Sequence, residues 1–273
     1  METVKVRFNK LARRNLDEVQ QYEKYTEDDQ KTWRLLWENQ TRQLEHIAHR
    51  AFFKGLKKLG ITGDKIPVFS EINRRLKKLT GWQIYICDGT LDDDILYYGL
   101  MKKMFPVTNF FRSLKDWQYT PAPDMFHEVF GHLPMLTLKK YGECLQMFGI
   151  VAKRYNFSPE VMKLLPPAFW FLVEFILVRG HGDRRIAGPG ILSSVGETLY
   201  AATSSKPTIH SCGDSSEAMK NFIRQAMYTK YDITKLQIEY FQVESFDLYY
   251  KMITKHLPEV VEEVVLHVDN VSK

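Results

Sequence analysis

Two histidines flank an acidic residue in the segment from Pro123 to Pro134, and such residue types can hold a metal ion. His127 and His132 are five residues apart, which corresponds to about 140° around an α-helix of 3.6 residues per turn. Zinc hydrolases place their histidines four apart on one helix, about 40° from each other. A regular helix cannot direct both imidazoles at one ion here, so the spacing argues against a zinc protease.

A helix end between the histidines would solve this problem. Gly131 can take the left-handed conformation that ends a helix, and Pro134 prevents the helix from resuming. We therefore predict that His127 lies on the last helical turn and that His132, just past it, folds back toward the same point. Two ordinary histidines near a helix end are equally compatible with the spacing alone.

Glu174 is the one ionisable residue in the segment 168–178, which is otherwise apolar on all sides and predicts a helix buried on every face. A lone buried carboxylate is costly unless a cation meets it. A metal ion could be that cation, and so could an arginine: Arg112, Arg184 or Arg185. Two imidazoles and one carboxylate form the facial set that leaves positions open on iron(II) for dioxygen and substrate. We therefore favour ligation by His127, His132 and Glu174, with Glu128 pointing elsewhere.

A second polar cluster lies in the segment 188–197. Two glycines precede a serine pair and Glu197, as expected for a turn that leads into a helix start with free N–H groups. Such a helix start can hold a carboxylate. Plain helix capping explains the same residues equally well.

The elements that must position these residues are mainly helical. Helices are predicted over 28–59 (one or two), 66–79, 92–104, 124–130, 139–155, 158–180 with a proline break at 166 and 167, 193–203, 214–228 and 244–266. Strand patterns are confined to 82–86, Ile186 and 238–243, while prolines make 105–111 extended and 119–124 irregular. We predict one mainly α domain, residues 1–273, with a few short β-strands.

Composition limits the class of protein. The formal charge of +5 comes from 38 basic and 33 acidic residues mixed along the chain, which makes nucleic acid an unexpected partner. Neither an apolar run of signal-peptide length in residues 1–15 nor a later membrane span is present, so we expect a soluble protein that is neither exported nor inserted. Cys87, Cys144 and Cys212 are isolated, which favours buried thiols in a reducing cytoplasm.

The same residues resemble the catalytic domain of the pterin-dependent aromatic amino acid hydroxylases. The matching blocks are Thr120-Pro121-Ala122-Pro123-Asp124, His127-Glu128 through Gly131-His132, Trp170-Phe171 through Glu174, and Gly190-Ile191-Leu192-Ser193-Ser194 through Glu197. Phe105-Pro106-Val107-Thr108 and Tyr25-Thr26 leading to Trp33 resemble the bacterial phenylalanine hydroxylases of that family. The resemblance runs from about residue 22 to about residue 250.

This resemblance implies the hydroxylase catalytic-domain fold, with helices around an iron site, and a role for each site residue. The implied Fe(II) ligands are His127, His132 and Glu174. The implied surroundings of the amino acid are Arg112 for its carboxylate, Asp124 behind that arginine, Pro123 and Trp170 beside the ring, and Thr120, Ser193, Ser194 and Glu197. The implied contacts of the tetrahydropterin are Gly89, Leu91, Asp93, Leu96 and Glu128, and the implied catalytic residues are Glu128 and Trp170.

The implied reaction is ring hydroxylation of an aromatic amino acid by dioxygen. Trp170 is typical of the phenylalanine and tyrosine hydroxylases, so we expect L-phenylalanine to give L-tyrosine; a tryptophan hydroxylase or a specialised aromatic hydroxylase is the alternative. Two other classes stay open, a zinc hydrolase with Glu128 as base and a metal-free helical binding protein.

The sequence also departs from the family pattern. Leu96 stands where the family usually stacks a phenylalanine on the pterin, which would lose about 0.5 to 1.5 kcal/mol of aromatic stacking. Phe169 and Pro189 replace a usual tyrosine and alanine and leave the substrate open. We expect no N-terminal regulatory domain, and the tail 258–273 is short for a tetramerising coiled coil, so we expect a monomer or small homo-oligomer.

Overall fold

The protein is mainly helical, with short strands, as predicted. The computed structural model describes residues 2–89, 91–118, 120, 122–180 and 183–271. The α-helices are α1 Val4–Ala12, α2 Leu16–Gln20, α3 Glu27–Leu44, α4 Arg50–Leu59, α5 Phe69–Thr80, α6 Asp93–Met101, α7 Leu133–Leu136, α8 Lys139–Arg154, α9 Pro159–Phe169, α10 Pro189–Leu192, α11 Glu197–Thr203, α12 Ser216–Tyr228, α13 Phe246–Lys251 and α14 Leu257–Val271. The π-helices are His127–His132, Trp170–Glu174 and Met252–His256, and a 3₁₀ turn spans Tyr22–Lys24.

Two small sheets accompany the helices. The strands are β1 Gln83–Cys87, β2 Met104–Thr108, β3 Ile176–Arg179, β4 Arg184–Ile186, β5 Thr208–Ser211 and β6 Glu239–Val243. β1 and β2 form a parallel pair, and the other four strands lie in the order β4-β3-β6-β5. Within the second sheet β4 is antiparallel to β3, whereas β6 is parallel to both β3 and β5.

Local signals in the sequence explain several helix boundaries. Thr26 and Asp29 form a complete capping box at the start of α3, each side chain bonding the other's backbone N–H. Gly60 and Gly81 end α4 and α5 in the left-handed conformation, with φ of 64° and 79°. The apolar faces of these helices pack into one continuous core, which also holds the buried thiols of Cys144 and Cys212.

The prediction of a helix through residue 180 is wrong, because the chain leaves the helix at Phe175 and forms β3. Ile176–Val178 pair in parallel with Phe241–Val243 on one side, while β4 pairs on the other. A short apolar run satisfies either a buried helix or a central strand, and here the sheet partners decide.

Three further expectations are corrected. α9 runs through Pro166 and Pro167 to Phe169 rather than breaking there, because its buried side chains hold the last turn in the core despite two missing N–H donors. The helix predicted over 193–203 begins only at Glu197, as α11, and the short helix α10 precedes residue 193. α1 and β5 lack a recognised sequence pattern and were not expected. Tyr119 and Pro121, inside the segment predicted to be irregular, lie outside the described residues.

No helix among the described residues has both the length and the apolar composition that crossing a membrane would require.

Candidate active site

The two histidines lie on a π-helix, His127–His132, which we call the histidine π-helix. The N–H of Leu133 donates to the carbonyl of Glu128, five residues earlier. A π-helix bonds residue i to i+5, so residues five apart come close to one face, which an α-helix cannot achieve. The predicted helix break is therefore wrong: Gly131 is not among the described glycines with positive φ.

Gly131 has a different purpose, which is close packing. A Cβ atom on it would lie 3.0 Å from the carbonyl oxygen of Pro189 and 3.4 Å from the Cβ of Ser193. The absence of a side chain lets α10 and the following turn approach the histidine π-helix. Ser193 reaches His127 because of this close approach.

Glu174 ends a second π-helix, Trp170–Glu174, which we call the glutamate π-helix. The N–H of Phe175 donates to the carbonyl of Trp170 at 2.9 Å, and the chain then enters β3. Gly188 packs against the same turn, since a Cβ there would lie 2.2 Å from the carbonyl oxygen of Glu174. The sheet on one side and the glycine turn on the other thus fix the position of Glu174.

The two π-helices bring the three predicted metal ligands together. The Nε2 atoms of His127 and His132 are 3.1 Å apart, and His132 Nε2 is 3.1 Å from Glu174 Oε1. His127 Nε2 is 3.8 Å from Glu174 Oε2. In the part of the chain that the structure describes, no other group of three or more His, Cys, Asp and Glu residues converges closely enough to hold a metal ion.

Ser193 sets the tautomer of His127. Its hydroxyl oxygen is 2.9 Å from the carbonyl oxygen of Pro189 and 2.8 Å from His127 Nδ1. The single hydroxyl proton goes to the carbonyl, which can only accept, so the hydroxyl oxygen accepts from His127 Nδ1–H. The lone pair of His127 is then on Nε2 and points toward His132 and Glu174, as a metal ligand requires.

The donor set fits a cation and no arginine supplies one. Within the described part of the chain, Glu174 Oε2 is buried without a hydrogen-bond partner. The arginines considered from the sequence are engaged elsewhere: Arg112 with Asp124, Arg184 with backbone carbonyls and Arg185 with Asp183. Burial, and then the neighbouring His132, lower the pKa of His127 to about 4. Burial acts to raise the pKa of Glu174, but the two imidazoles outweigh it and the net shift is downward. Neutral imidazoles and an ionised carboxylate are the forms that bind metals.

Glu128 is not part of this donor set. Its Oε2 atom is buried and has no hydrogen-bond partner among the described residues. Burial raises the pKa of this carboxyl well above its usual range, and the nearby charges of Glu174 and Asp124 raise it further. A carboxyl oxygen that is buried and unpartnered is suited to meet a polar ligand.

Arg112 and Asp124 form a buried ion pair beside the histidine π-helix. Arg112 Nε and Nη2 donate to the two oxygens of Asp124 at 2.7 and 2.9 Å, and Nη1 donates to the carbonyl of Trp117 at 3.2 Å. A guanidinium has five N–H bonds, so two remain for a ligand. Asp124 also accepts the backbone N–H of His127 at 3.0 Å, which ties the arginine to the metal ligands.

The other residues expected around the substrate have local roles as well. The hydroxyl of Ser194 accepts the N–H of Glu197 at 3.3 Å, although the N-cap residue of α11 is Gly196. Thr120 donates to the carbonyl of Ala122 at 2.8 Å, and Pro123 is exposed. Glu197 is buried, and burial raises its pKa.

The residues expected at the pterin lie on a charged edge. Asp88 and Asp92 flank this edge and are paired with arginines of the N-terminal segment: Arg14 bonds Asp88 at 2.7 Å and Arg7 bonds Asp92 at 2.7 Å. Arg7 also bonds Asp94. Of the expected contacts, Gly89 is exposed with a φ of 82°, and Leu91 is half-buried. Asp93 and Leu96 lie on α6. Thr90, in the same loop, lies outside the described residues.

The sequence did not reveal the residues that hydrogen-bond to this site from distant parts of the chain. Gln40, buried in α3, donates to the carbonyls of Leu192 and Ser194 and to Thr198. Gln237 and Tyr240 both bond Glu197 from about forty residues away. Each contact joins distant segments, and no local pattern could have shown it.

Two imidazoles and one carboxylate that converge from two π-helices define the class of mononuclear oxygenases that use a two-histidine, one-carboxylate face. Residues 6–273 match the family model described as "Biopterin-dependent aromatic amino acid hydroxylase", and the chain belongs to that family. It is thus a monooxygenase, and the predicted family and fold are confirmed.

Named relatives agree with this assignment. Phenylalanine-4-hydroxylase of Chromobacterium violaceum is 32% identical over 230 residues, which cover 83% of this chain and 73% of that protein. The crystal structure of that organism's phenylalanine hydroxylase with bound oxidised Fe(III) has a TM-score of 0.81 and 27% identity, covering 97% of this chain and 94% of the other. Its structure with iron(III) and the oxidised cofactor 7,8-dihydrobiopterin has a TM-score of 0.80 at 27% identity, covering 97% and 93%.

Proposed function

We propose that the protein hydroxylates L-phenylalanine to L-tyrosine with dioxygen, using Fe(II) held by His127, His132 and Glu174 and a tetrahydropterin as electron donor. The convergence of two Nε2 atoms and one carboxylate carries this proposal. When bound there, ferrous iron and the reduced pterin would supply the coordination and the electrons that activate dioxygen. The protein's own side chains would place the amino acid and exclude water.

Arg112 would bind the substrate carboxylate. Its two remaining N–H bonds suit the paired oxygens of a carboxylate, and Asp124 holds the guanidinium in a fixed plane. Because Asp124 also accepts the N–H of His127, the bound amino acid would be held at a fixed position relative to the metal ligands. Thr120, Ser193 and Ser194 would line the same end of the substrate.

Glu197 would receive the substrate amino group. Its Oε1 atom already accepts the backbone N–H of Gln237 and the hydroxyl of Tyr240. Among the described residues nothing donates to Oε2, which is therefore the oxygen left for a ligand. An ammonium group beside it would hold this carboxylate in its ionised form.

Trp170 would border the aromatic ring, with Pro123 at its edge. Phe171, Leu172 and Val173 are buried in the same turn and form an apolar wall that excludes water from the reacting ring. Glu128 would meet the pterin, because its buried carboxyl oxygen lacks a partner among the described residues. Gly89, Leu91, Asp93 and Leu96 would contact the edge of the pterin.

The decisive experiment is anaerobic loading with Fe(II), followed by tetrahydropterin, air and a panel of aromatic amino acids. We expect tyrosine from phenylalanine, identified by product mass and hydroxyl position. Hydroxylation of tryptophan alone would identify the alternative within the family. No hydroxylated product from any aromatic amino acid would refute the proposed reaction.

Arg112 allows the substrate assignment to be tested separately. Arg112→Ala is expected to raise the KM for phenylalanine. It also leaves Asp124 buried and unpaired, which should lower the free energy of unfolding by about 3 to 5 kcal/mol. Arg112→Lys keeps the charge and removes the fork, so we expect a raised KM with nearly unchanged kcat. An unchanged KM in the folded lysine variant would remove Arg112 from the carboxylate site.

We also propose that residues 1–273 form one catalytic domain, since a continuous core joins α3 to α14. A reducing cytoplasm fits the three free cysteines, which are all buried. A monomer or small homo-oligomer stays a prediction.

The zinc-hydrolase and metal-free alternatives lose their support, because the family consists of hydroxylases.

A further inference from the structure

Gln237 is a buried glutamine in the segment 229–238, between α12 and β6, and its side chain is fully hydrogen-bonded. Its Nε2 donates to the carbonyls of Asp232 at 3.0 Å and Lys235 at 2.9 Å. Its Oε1 accepts the indole N–H of Trp170 at 3.1 Å. Both amide hydrogens and the oxygen are thus engaged. If the amide were flipped, its oxygen would face the two backbone carbonyls and its NH₂ group would face the indole N–H, so all three bonds would be lost.

The indole of Trp170 is also held on both faces. Its ring lies 4.5 Å from that of Phe175 at 26° and 4.7 Å from that of Tyr231 at 18°. Tyr231 belongs to the same segment as Gln237 and makes an edge contact with Phe171 at 6.1 Å. Rotation of the indole would break the stacking and the hydrogen bond together.

The backbone of Gln237 reaches the second half of the substrate site. Its N–H donates to Glu197 Oε1 at 2.9 Å, and the hydroxyl of Tyr240 donates to the same oxygen. Both donors turn Oε1 inward and leave Oε2 facing a ligand. One residue therefore contacts the ring wall through its side chain and the carboxylate through its main chain.

We propose that Gln237 is a positioning residue that sets ring selectivity, by locking the Trp170 indole at a fixed place relative to Glu197. This inference rests on the proposed function, in which Trp170 borders the ring and Glu197 receives the amino group. The distance between these two groups decides how large a ring fits while the amino group stays bound. Without its hydrogen bond to Gln237, the indole would be free to move, and the site would admit a larger ring.

The test replaces Gln237 with methionine, which has a similar volume but no amide, while the main-chain bond to Glu197 is kept. The matched control is Gln20→Met, because Gln20 is also buried and its amide also bonds two backbone groups, Pro67 O and Phe69 N. We expect the ratio of kcat/KM for phenylalanine to that for tryptophan to fall about three- to tenfold in Gln237→Met. The control should keep the ratio of the parent enzyme.

A double-mutant cycle shows whether Gln237 acts through Trp170. Trp170→Phe removes the indole N–H, so adding Gln237→Met to it should change the selectivity ratio less than about twofold. An equal effect of Gln237→Met with and without the indole would overturn the proposal. So would a selectivity ratio that Gln237→Met leaves unchanged.

A second readout needs neither metal nor turnover. The indole N–H resonance of Trp170 in ¹⁵N-labelled metal-free protein, assigned by its loss in Trp170→Phe, should shift and exchange faster in Gln237→Met, and stay unchanged in Gln20→Met. An unmoved resonance overturns the proposal even if the parent enzyme proves to hydroxylate nothing. If Gln237→Met does not fold, Gln237→Asn serves instead, since its shorter side chain withdraws the carbonyl from the indole.

Discussion

The two π-helices and the charged loop 88–94 differ in what holds them in place. The histidine and glutamate π-helices are packed into the core, where glycines permit close contact and side-chain bonds to Ser193 and Asp124 fix the histidine turn. The loop is held from outside by Arg7 and Arg14, whose partners Asp88 and Asp92 are 66% and 72% exposed. The metal side of the site is thus set by packing, and the proposed pterin side by charge. The two sides should respond differently to mutation and to salt.

The largest expected effect comes from breaking the packed side. Glu174→Gln keeps the shape but removes the anionic ligand, and we expect pterin-coupled hydroxylation to fall by more than about 100-fold, the upper range for groups that only orient a ligand. His127→Ala should likewise abolish this activity with the fold intact. Activity is measured as the rate of tyrosine formation in the presence of tetrahydropterin and dioxygen, per mole of protein.

Metal-dependent stability gives an independent check on Glu174. In the parent protein, a divalent metal at about 100 times its Kd should add about 2.7 kcal/mol to the unfolding free energy, measured by thermal or denaturant unfolding. Glu174→Gln should lose this gain, while the exposed control Glu262→Gln should keep it. Full activity and metal stabilisation in Glu174→Gln would contradict the ligand assignment.

A smaller effect is expected from releasing the charged side. Replacing Arg7 and Arg14 together with alanine should raise the KM for the tetrahydropterin about two- to fivefold, because exposed ion pairs contribute little each. The KM for phenylalanine and the metal affinity should not change. The parent enzyme's pterin KM should also rise with ionic strength, which screens these pairs.

Lys10 provides the control for this experiment, because it lies on α1 between the two arginines but pairs with Glu2. Lys10→Ala should leave the pterin KM unchanged. If the double arginine variant bound amino acid and pterin equally poorly, α1 would be supporting the fold as a whole rather than the loop.

The smallest effect sharpens the description of the pterin side. Leu96→Phe introduces the aromatic residue that the resemblance to the family implies at this position, and if Leu96 faces the pterin it should tighten pterin binding about two- to tenfold, from about 0.5 to 1.5 kcal/mol of stacking. Calorimetric titration with a reduced or dihydro pterin measures it. Leu96→Met, which conserves volume, is the control, and weaker binding by the phenylalanine variant would show that Leu96 does not face the pterin.

The metal residues could be predicted because their types stand out in apolar surroundings. Glu174 is the lone acidic residue in an apolar segment, and the free-energy cost of burying its charge indicates a nearby cation. The geometry could not be predicted, since a π-helix follows from bonds between residues five apart and not from residue types. The end of the helix at Phe175 was also hidden, because Ile176–Val178 become a strand only through pairing with β6, more than sixty residues later.

The roles found for Ser193, Gln237 and Tyr240 show the same limit. Ser193 was expected near the amino acid, and its bond to His127 depends on Gly131 letting two turns meet. Gln237 lies in a polar stretch that gives no sign of burial. Such contacts are set by how distant segments pack, so a single sequence does not contain a local signal for them.

The π-helical turn of the histidines also limits which changes in chain length the site can tolerate. A π-turn holds one residue more than the α-helical turn it replaces, so deletion of Val129 would let this segment wind as an ordinary α-helix. Its histidines would then stand four apart, a spacing that still directs two imidazoles to one ion. Because the wider turn absorbs the extra residue, its removal would leave the elements downstream close to their present places. A one-residue deletion in this turn would therefore spare both the imidazole pair and its alignment with the carboxylate, whereas the same deletion in a regular α-helix would rotate everything beyond it by about 100°.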